Sequence, residues 1–328
     1  MIITLRSDAD VDAVRRALVD LGLWLSPLAR TGATGAGVFT VSEASTAVSP
    51  ERVRAVDGVA DVAVEPSGHP RVDAQGPAVD VRGFKVGAGD PVFFCGPCAV
   101  ESEAQVVSIA ARIAALGVQF LRGGAYKPRT SPYAFQGHGE DALRWMRRAA
   151  DAHGLRVVTE ALGEGDVPLV AEYADLVQVG SRNMQNFALL KAIGRTGRPV
   201  LLKRAMAATV EEWLLAGEYL LKHGAHGVIF CERGIRGFDP STRNLLDLGA
   251  VALLAAVHHL PVVVDPSHAT GRRDLVLPLA RAALAAGAAG VMIETHDDPG
   301  RALSDGPQAL LPEQLRATIA SLRGEGIR

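Results

Sequence analysis

The sequence predicts an α/β fold: a TIM (β/α)8 barrel preceded by a small ferredoxin-like (ACT-like) α+β domain. Three observations carry this expectation. Strand-like and helix-like runs alternate eight times from residue 91 onward. Residues 1–66 instead read as two βαβ units. The Pro/Gly-rich stretch SGHPRVDAQGPAVD (67–80) separates the two patterns. A chain of 328 residues has room for one barrel of about 250 residues and a module of about 60–80.

In the N-terminal module, strand IITL (2–5) leads into a helix over 11–21, and LWLSPLA (22–28) follows as a strand. A Gly/Thr turn at 31–36 precedes the strand GVFTV (37–41). A helix over 50–56 starts after Ser49, whose hydroxyl suits an N-cap. The strand DVAVEP (61–66) closes the module, which holds no cluster of nucleophiles, bases or metal ligands. Residues 67–90 read as a linker ending in a short hairpin, VRGFKVGAGD.

The barrel is expected over 91–328. Its strands are VFFCGP (92–97), VQFLRGG (118–124), RVVTEAL (156–162) and LVQVGS (176–181), then PVLLKRA (199–205), GVIFCERG (227–234), PVVVDPSH (261–268) and GVMIETH (290–296). Amphipathic runs such as 102–117 and 209–224 lie between them and end in Gly, a common helix stop. A doubly wound sheet is the structural rival. It rarely needs eight units, and no G-x-G-x-x-G follows the first strand.

Composition narrows the function. A net charge of −2 argues against a general polyanion binder, and 5% aromatic residues argue against a base-stacking platform. So no nucleic-acid partner is expected. The sequence lacks an apolar run of about 18 residues and a signal-peptide plan, so no membrane partner is expected either. Three cysteines do not make a disulfide framework. The expectation is a cytoplasmic enzyme. Among the cations, 29 are Arg and five are Lys, so each Lys in a structured segment invites a reason.

The strand ends are rich in chemistry, and in a TIM barrel the active site forms there. Cys98 follows strand 1; Arg122 ends strand 2 and leads to Lys127 and Arg129. Glu160, Ser181 and Arg182 follow on strands 3 and 4, Lys203 and Arg204 on strand 5, Glu232 and Arg233 on strand 6. Asp265 and His268 mark strand 7, Glu294 strand 8, and Asp305 the loop beyond it. Unpaired charges in apolar strands are costly, so repeated placement marks a shared polar cavity. The cations Arg122, Lys127, Arg129, Arg182, Lys203 and Arg233 suit phosphorylated substrates. Cys98, His268, Glu294 and Asp305 form a mixed S/N/O set suited to one divalent metal ion, Mn, Fe, Co or Zn, better than to Mg or Ca. His296, directly after strand 8, is a weaker candidate for the site. His153, His223, His258 and His259 sit near helix ends, where a dipole contact accounts for them.

Cys95-Gly96-Pro97-Cys98 has the local form of a thioredoxin-type motif, but it opens an eight-unit barrel. Cys98 is therefore read as a ligand. Oxidative joining of Cys95 to Cys98 is a regulatory possibility that the sequence leaves open.

Nine motifs run in order: GPCAVES (96–102), LRGGAYKPRTSPYAFQG (121–137), VTEAL (158–162), QVGSRNMQNF (178–187), PVLLKR (199–204), CERGIR (231–236), DPSHATGRRDLV (265–276), ETH (294–296) and LSDGPQAL (303–310). They resemble the 3-deoxy-D-arabino-heptulosonate 7-phosphate (DAHP) synthases, type I beta, the subgroup related to 3-deoxy-D-manno-octulosonate 8-phosphate (KDO8P) synthase. The resemblance implies condensation of phosphoenolpyruvate with D-erythrose 4-phosphate and water, giving DAHP and phosphate, the first step of the shikimate pathway to aromatic amino acids. It implies Cys98, His268, Glu294 and Asp305 as metal ligands, and Arg182, Lys203 and Arg233 at the phosphoenolpyruvate phosphate. Lys127 would lie near the carboxylate and deliver a proton. Arg129, Thr130 and Ser131 would hold the aldose phosphate. Arg122 and Ser181 join the substrate-binding set, Glu160 would position water or the cations, and Asp265 would orient its neighbours. The resemblance also implies a homotetramer whose N-terminal module binds an aromatic amino acid effector, Tyr or Phe, for feedback inhibition. KDO8P synthase, acting on arabinose 5-phosphate, is the near alternative, although the KPRTSP segment favours the DAHP enzymes. A Schiff-base aldolase using Lys203 is the mechanistic rival, and a metabolite sensor on a dead barrel is the non-catalytic one.

Overall fold

The computed structural model describes residues 1–28, 37–42 and 44–324. The turn expected at 31–36 lies outside the described residues. The chain divides into two compact units, Met1–Gly68 and His69–Arg328.

The first unit is a four-stranded antiparallel sheet with two helices. Its strands are β1 (Ile2–Leu5), β2 (Leu25–Pro27), β3 (Val38–Val41) and β4 (Val59–Ala63), in spatial order β2-β3-β1-β4. Helix α1 (Val11–Asp20) starts at Asp10, whose carboxylate accepts from Asp12 N and Ala13 N. Helix α2 (Pro50–Arg54) starts at Ser49 as expected, with the hydroxyl accepting from Arg52 N. Val14 and Leu18 of α1 and Val53 of α2 pack on Ile3, Leu5, Phe39 and Val62. β4 begins two residues before the expected 61, because the turn at Gly58 feeds directly into Val59. A register shift beside Thr4 and Leu5 then breaks the strict alternation on which the reading of 61–66 relied.

Residues 69–75 do not behave as a linker. Pro70–Ala74 forms helix α3, with Val72 fully buried. Composition marked this segment as a breaker, yet Pro in the first helical turn is favourable. Tertiary partners hold the helix. Glu218 accepts from Arg71 N at 2.8 Å and Val72 N at 3.1 Å. The Gln75 amide both accepts from Val228 N at 2.6 Å and donates to Val228 O at 2.9 Å. A hairpin follows, β5 (Val79–Val81) and β6 (Phe84–Val86), turning through Arg82 and Gly83, both with positive φ. Asp80 accepts from Gly83 N at 3.0 Å and steadies that turn.

Eight parallel strands close the barrel. They are β7 (Val92–Gly96), β8 (Phe120–Arg122), β9 (Arg156–Glu160), β10 (Leu176–Val179), β11 (Val200–Lys203), β12 (Val228–Glu232), β13 (Val262–Val264) and β14 (Gly290–Glu294). β14 pairs with β7 and completes the ring. The helices start at side-chain caps where the sequence offers them. Ser102 caps α4 (Glu103–Ala115), and Thr209 with Glu212 forms a capping box at Val210–Lys222. Strand alternation divides the core in two. Phe94, Phe120, Val158, Leu176, Leu201, Ile229, Val263 and Met292 point inward and meet Val79, Val81 and Val86 of the hairpin. Phe93, Cys95, Leu121, Val157, Val177, Leu202, Phe230 and Ile293 face the helices. The hairpin thus plugs one end of the barrel and leaves the C-terminal end of the strands for chemistry. Among the described residues no helix is long and apolar enough to cross a membrane.

Candidate active site

Because side chains alternate with a period of two, the residue two places beyond each inward apolar residue also points inward. That rule lands on Gly96, Arg122, Glu160, Gln178, Lys203, Cys231, Asp265 and Glu294. Cys231 still belongs to the apolar layer. The others begin the polar mouth.

Four ligand-type atoms meet there. One atom each from Cys98, His268, Glu294 and Asp305 lies within 4.8 Å of the others. Cys98 Sγ donates to Asp305 Oδ2 at 3.1 Å, and His268 Nε2 stands 3.2 Å from Glu294 Oε1 and 3.8 Å from Asp305 Oδ2. Each is held from behind. His268 Nδ1 is 2.7 Å from Asp265 Oδ2, which fixes that nitrogen as the donor and leaves Nε2 with a free lone pair for the cluster. Gln308 donates to Glu294 Oε2 at 2.7 Å and Arg122 to its Oε1 at 2.9 Å. Arg243 donates to Asp305 Oδ1 at 3.1 Å.

Burial sets the charges. Burial, helped by the Glu294 carboxylate, pushes the Cys98 thiol up to about 12. Burial also lowers His268, against the opposing pull of Asp265 and Glu294. Asp305 goes the other way: burial opposes ionisation, but His268, the Cys98 hydrogen bond and Arg243 outweigh it and hold the carboxyl at about 2. Glu294 is lowered as well, with His268 and Arg122 overcoming burial. An imidazole whose protonation burial disfavours and two carboxylates suit a metal ion, and the thiol would be ionised by an adjacent cation.

His268 and Asp305 of the cluster line a cavity of about 580 Å³. Every cation expected at the site lines it: Arg122, Lys127, Arg129, Arg182, Lys203 and Arg233. Thr130, Ser131, Glu160 and Ser181 line it too. Lys127 Nζ reaches Cys98 Sγ at 2.9 Å and Cys98 O at 3.0 Å. Lys203 Nζ is 2.6 Å from Asp265 Oδ2 in a buried ion pair. Asp265 itself is fully buried and does not line the cavity; its two oxygens serve Lys203 and His268. Glu160 accepts from Gln178 Nε2 at 2.9 Å. A Cβ at Gly180 would stand 2.0 Å from Glu160 Oε1, so glycine is what lets this carboxylate lie against the next strand. Arg122 Nε is buried without a hydrogen-bond partner, a donor aimed at nothing in the protein.

Two expected mouth residues face elsewhere. Arg204 and Glu232 pair at 3.2 Å among the surrounding helices, with Asp247 2.8 Å from Arg204, because each sits one step out of phase with an inward neighbour. His296 is buried and does not line the cavity. Cys95 lies in the layer between strands and helices, and both Cys95 and Cys98 are free thiols. Sequence reading missed Gln178, Met206, Arg236, Arg243 and Asn244. The alternation rule identifies Gln178. The others ride on loops, where no period exists; only Arg236 fell within a quoted motif.

Residues 69–324 match the DAHP synthetase I family. The chain belongs to that family. A relative, the phospho-2-dehydro-3-deoxyheptonate aldolase of Thermotoga maritima, is 51% identical over 245 residues, covering 75% of this chain and 72% of that protein. A 2-dehydro-3-deoxyphosphooctonate aldolase from Methylibium petroleiphilum is 32% identical over 270 residues, covering 73% and 92%. The crystal structure of the Thermotoga maritima DAHP synthase superposes with a TM-score of 0.76 at 40% identity, over 98% of this chain and 96% of that one. A truncated form of the Thermotoga enzyme matches with a TM-score of 0.71 at 47% identity, over 76% and 92%.

Proposed function

We infer that this member of the DAHP synthetase I family is a DAHP synthase, a transferase that joins phosphoenolpyruvate to D-erythrose 4-phosphate and water. The observation that carries the reading is eight cations lining one cavity, against two carboxylates, directly beside the S/N/O ligand cluster. Two small phosphates and a carboxylate need that many positive charges. The donor set fits Mn, Fe, Co or Zn, and such an ion would polarise the aldehyde oxygen as a Lewis acid.

The chain's own residues do the rest. Arg182, Lys203 and Arg233 bind the phosphoenolpyruvate phosphate, and Arg122, with its unpartnered Nε, binds the carboxylate beside Lys127. Ser181 adds a hydroxyl at this site. Arg129, Thr130 and Ser131 bind the aldose phosphate. The phosphoenolpyruvate methylene carbon forms a bond to the aldehyde carbon, and Lys127 Nζ gives a proton to the aldehyde oxygen. Glu160, steadied by Gln178, positions the water that adds to the adjacent carbon; one water proton returns to Lys127, and the other leaves with phosphate as its C–O bond breaks and the ketone forms. Asp265 orients His268 and Lys203 rather than touching substrate. The same contact disfavours a Schiff base: Lys203 Nζ is already engaged by Asp265 Oδ2 at 2.6 Å in a buried pair.

Phosphate release with erythrose 4-phosphate and not with arabinose 5-phosphate is the expected result; turnover only with arabinose 5-phosphate makes the protein a KDO8P synthase instead. For the N-terminal unit, the strand order β2-β3-β1-β4 supports a ferredoxin-like topology, and we propose that this unit is a regulatory domain that binds Tyr or Phe within a homotetramer. A chain starting at His69 keeps its turnover and loses inhibition by these amino acids; full inhibition of that shortened chain refutes the assignment.

A further inference from the structure

Glu101 lies three residues after Cys98, outside the cavity wall, with a side chain only 14% exposed. No Lys or Arg among the described residues pairs with it. A buried carboxylate without a cation is costly unless hydrogen bonds hold it, and here they do. Oε1 accepts from Leu303 N at 2.8 Å. Oε2 stands 3.4 Å from His296 Nε2. His296 Nδ1 accepts from Asp298 N at 3.0 Å, so the ring proton sits on Nε2 and points at Glu101.

The two contacts fall in informative places. His296 is two residues past Glu294, and Leu303 is two residues before Asp305. One carboxylate therefore ties both ends of the loop between two members of the ligand cluster to the segment that carries a third, Cys98. A third tether runs from the backbone: Glu101 O accepts from His138 Nε2 at 3.0 Å. His138 ends the loop that carries Lys127, Arg129, Thr130 and Ser131, and its ring is wedged edge-on between Phe135 and Trp145.

Asp305 needs such restraint more than its partners. Glu294 ends a strand and is fully buried, whereas Asp305 sits on a loop with φ +52°, in the left-handed region disfavoured for a residue with a side chain. A loop free to relax would carry the Asp305 carboxylate away from Cys98.

We propose that Glu101 is a positioning residue: by holding Leu303 and His296 it sets Asp305 against Cys98 and so sets the affinity of the metal site. This rests on the reading of the cluster as a divalent-metal site. The test is a titration of Mn²⁺ alone into the metal-stripped full-length chain, with circular dichroism and thermal melting as checks on the fold. Wild type binds one ion per chain. Glu101→Ala weakens Mn²⁺ by roughly 10–100-fold, while turnover at saturating Mn²⁺ recovers. Glu101→Gln loses less, because its amide oxygen still accepts from Leu303 N while its NH₂ meets the His296 N–H. A folded Glu101→Ala with wild-type Mn²⁺ affinity overturns the proposal. If that variant does not fold, wild-type affinity in Glu101→Gln overturns it equally. A wild-type chain that binds no Mn²⁺ brings down the metal reading itself, a distinguishable failure.

Discussion

At the plugged end of the barrel, Val79, Val81 and Val86 meet Phe94, Phe120 and Leu201 in a layer without charge. Two residues further along the same strands, the mouth presents Arg122, Glu160, Lys203, Asp265 and Glu294. The hydrogen-bonded ladder is the same at both ends, so the difference belongs to side chains alone. Residues of the apolar layer do only packing. The mouth holds buried charges that stability does not require, such as the Arg122–Glu294 pair, both partners nearly or fully buried. Replacing such pairs with apolar residues is often neutral or stabilising, so their presence marks function.

Substitutions separate the two ends. The largest loss of turnover is expected at the ligand cluster: His268→Ala reduces DAHP formation to background in a steady-state assay, with the melting temperature little changed. Lys127→Met comes next, lowering kcat by about 10²–10⁴-fold, measured with both substrates saturating. Arg182→Ala raises KM for phosphoenolpyruvate by roughly tenfold to a hundredfold, the value of one charge-assisted contact. Acidification has a smaller, graded effect. With the free Cys98 thiol raised to about 12, metal binding as thiolate releases a proton throughout the neutral range. Asp305, at about 2, is already ionised there and adds none. Apparent metal affinity then falls about tenfold for each unit of pH lowered, readable by chelator competition. At the plugged end the outcome inverts: Phe120→Ala costs about 3–5 kcal/mol of stability while kcat in the surviving folded protein stays near wild type. Loss of kcat with intact stability would erase the distinction.

The docked segment sharpens it further. A chain starting at Asp80 rather than His69 strips Glu218 of its contacts with Arg71 and Val72. The loss uncovers the apolar surface that Val72 buries and strips Val228 of its two hydrogen bonds to Gln75, and is expected to destabilise the barrel by about 2–3 kcal/mol, measured by urea unfolding of the two truncations.

Much of this was legible in the sequence. The eight strands repeat a strong apolar pattern, and polar residues at fixed strand ends stand out against it. Cys98, His268, Glu294 and Asp305 stand out in the sequence because their chemistry is rare in such positions, and the fold brings the four together. What escaped notice depends on tertiary partners. Helix α3 looks like a linker until Glu218 and Gln75 are seen holding it. Arg204 and Lys203 are adjacent in sequence and alike in charge, and only strand phase sends one into the mouth and the other to the helices. Arg243 reaches Asp305 from a loop, where no periodic signal exists. Glu101 sits within a motif but shows its contacts only once two distant loops are folded onto it.

Metal analysis of protein purified without chelator, paired with the rate of DAHP formation before and after EDTA, tests the central claim most directly. The expected result is one divalent ion per chain in wild type and in Phe120→Ala, none in His268→Ala, and activity that EDTA abolishes and Mn²⁺ restores. Full activity in wild-type protein stripped of every metal ion would contradict it.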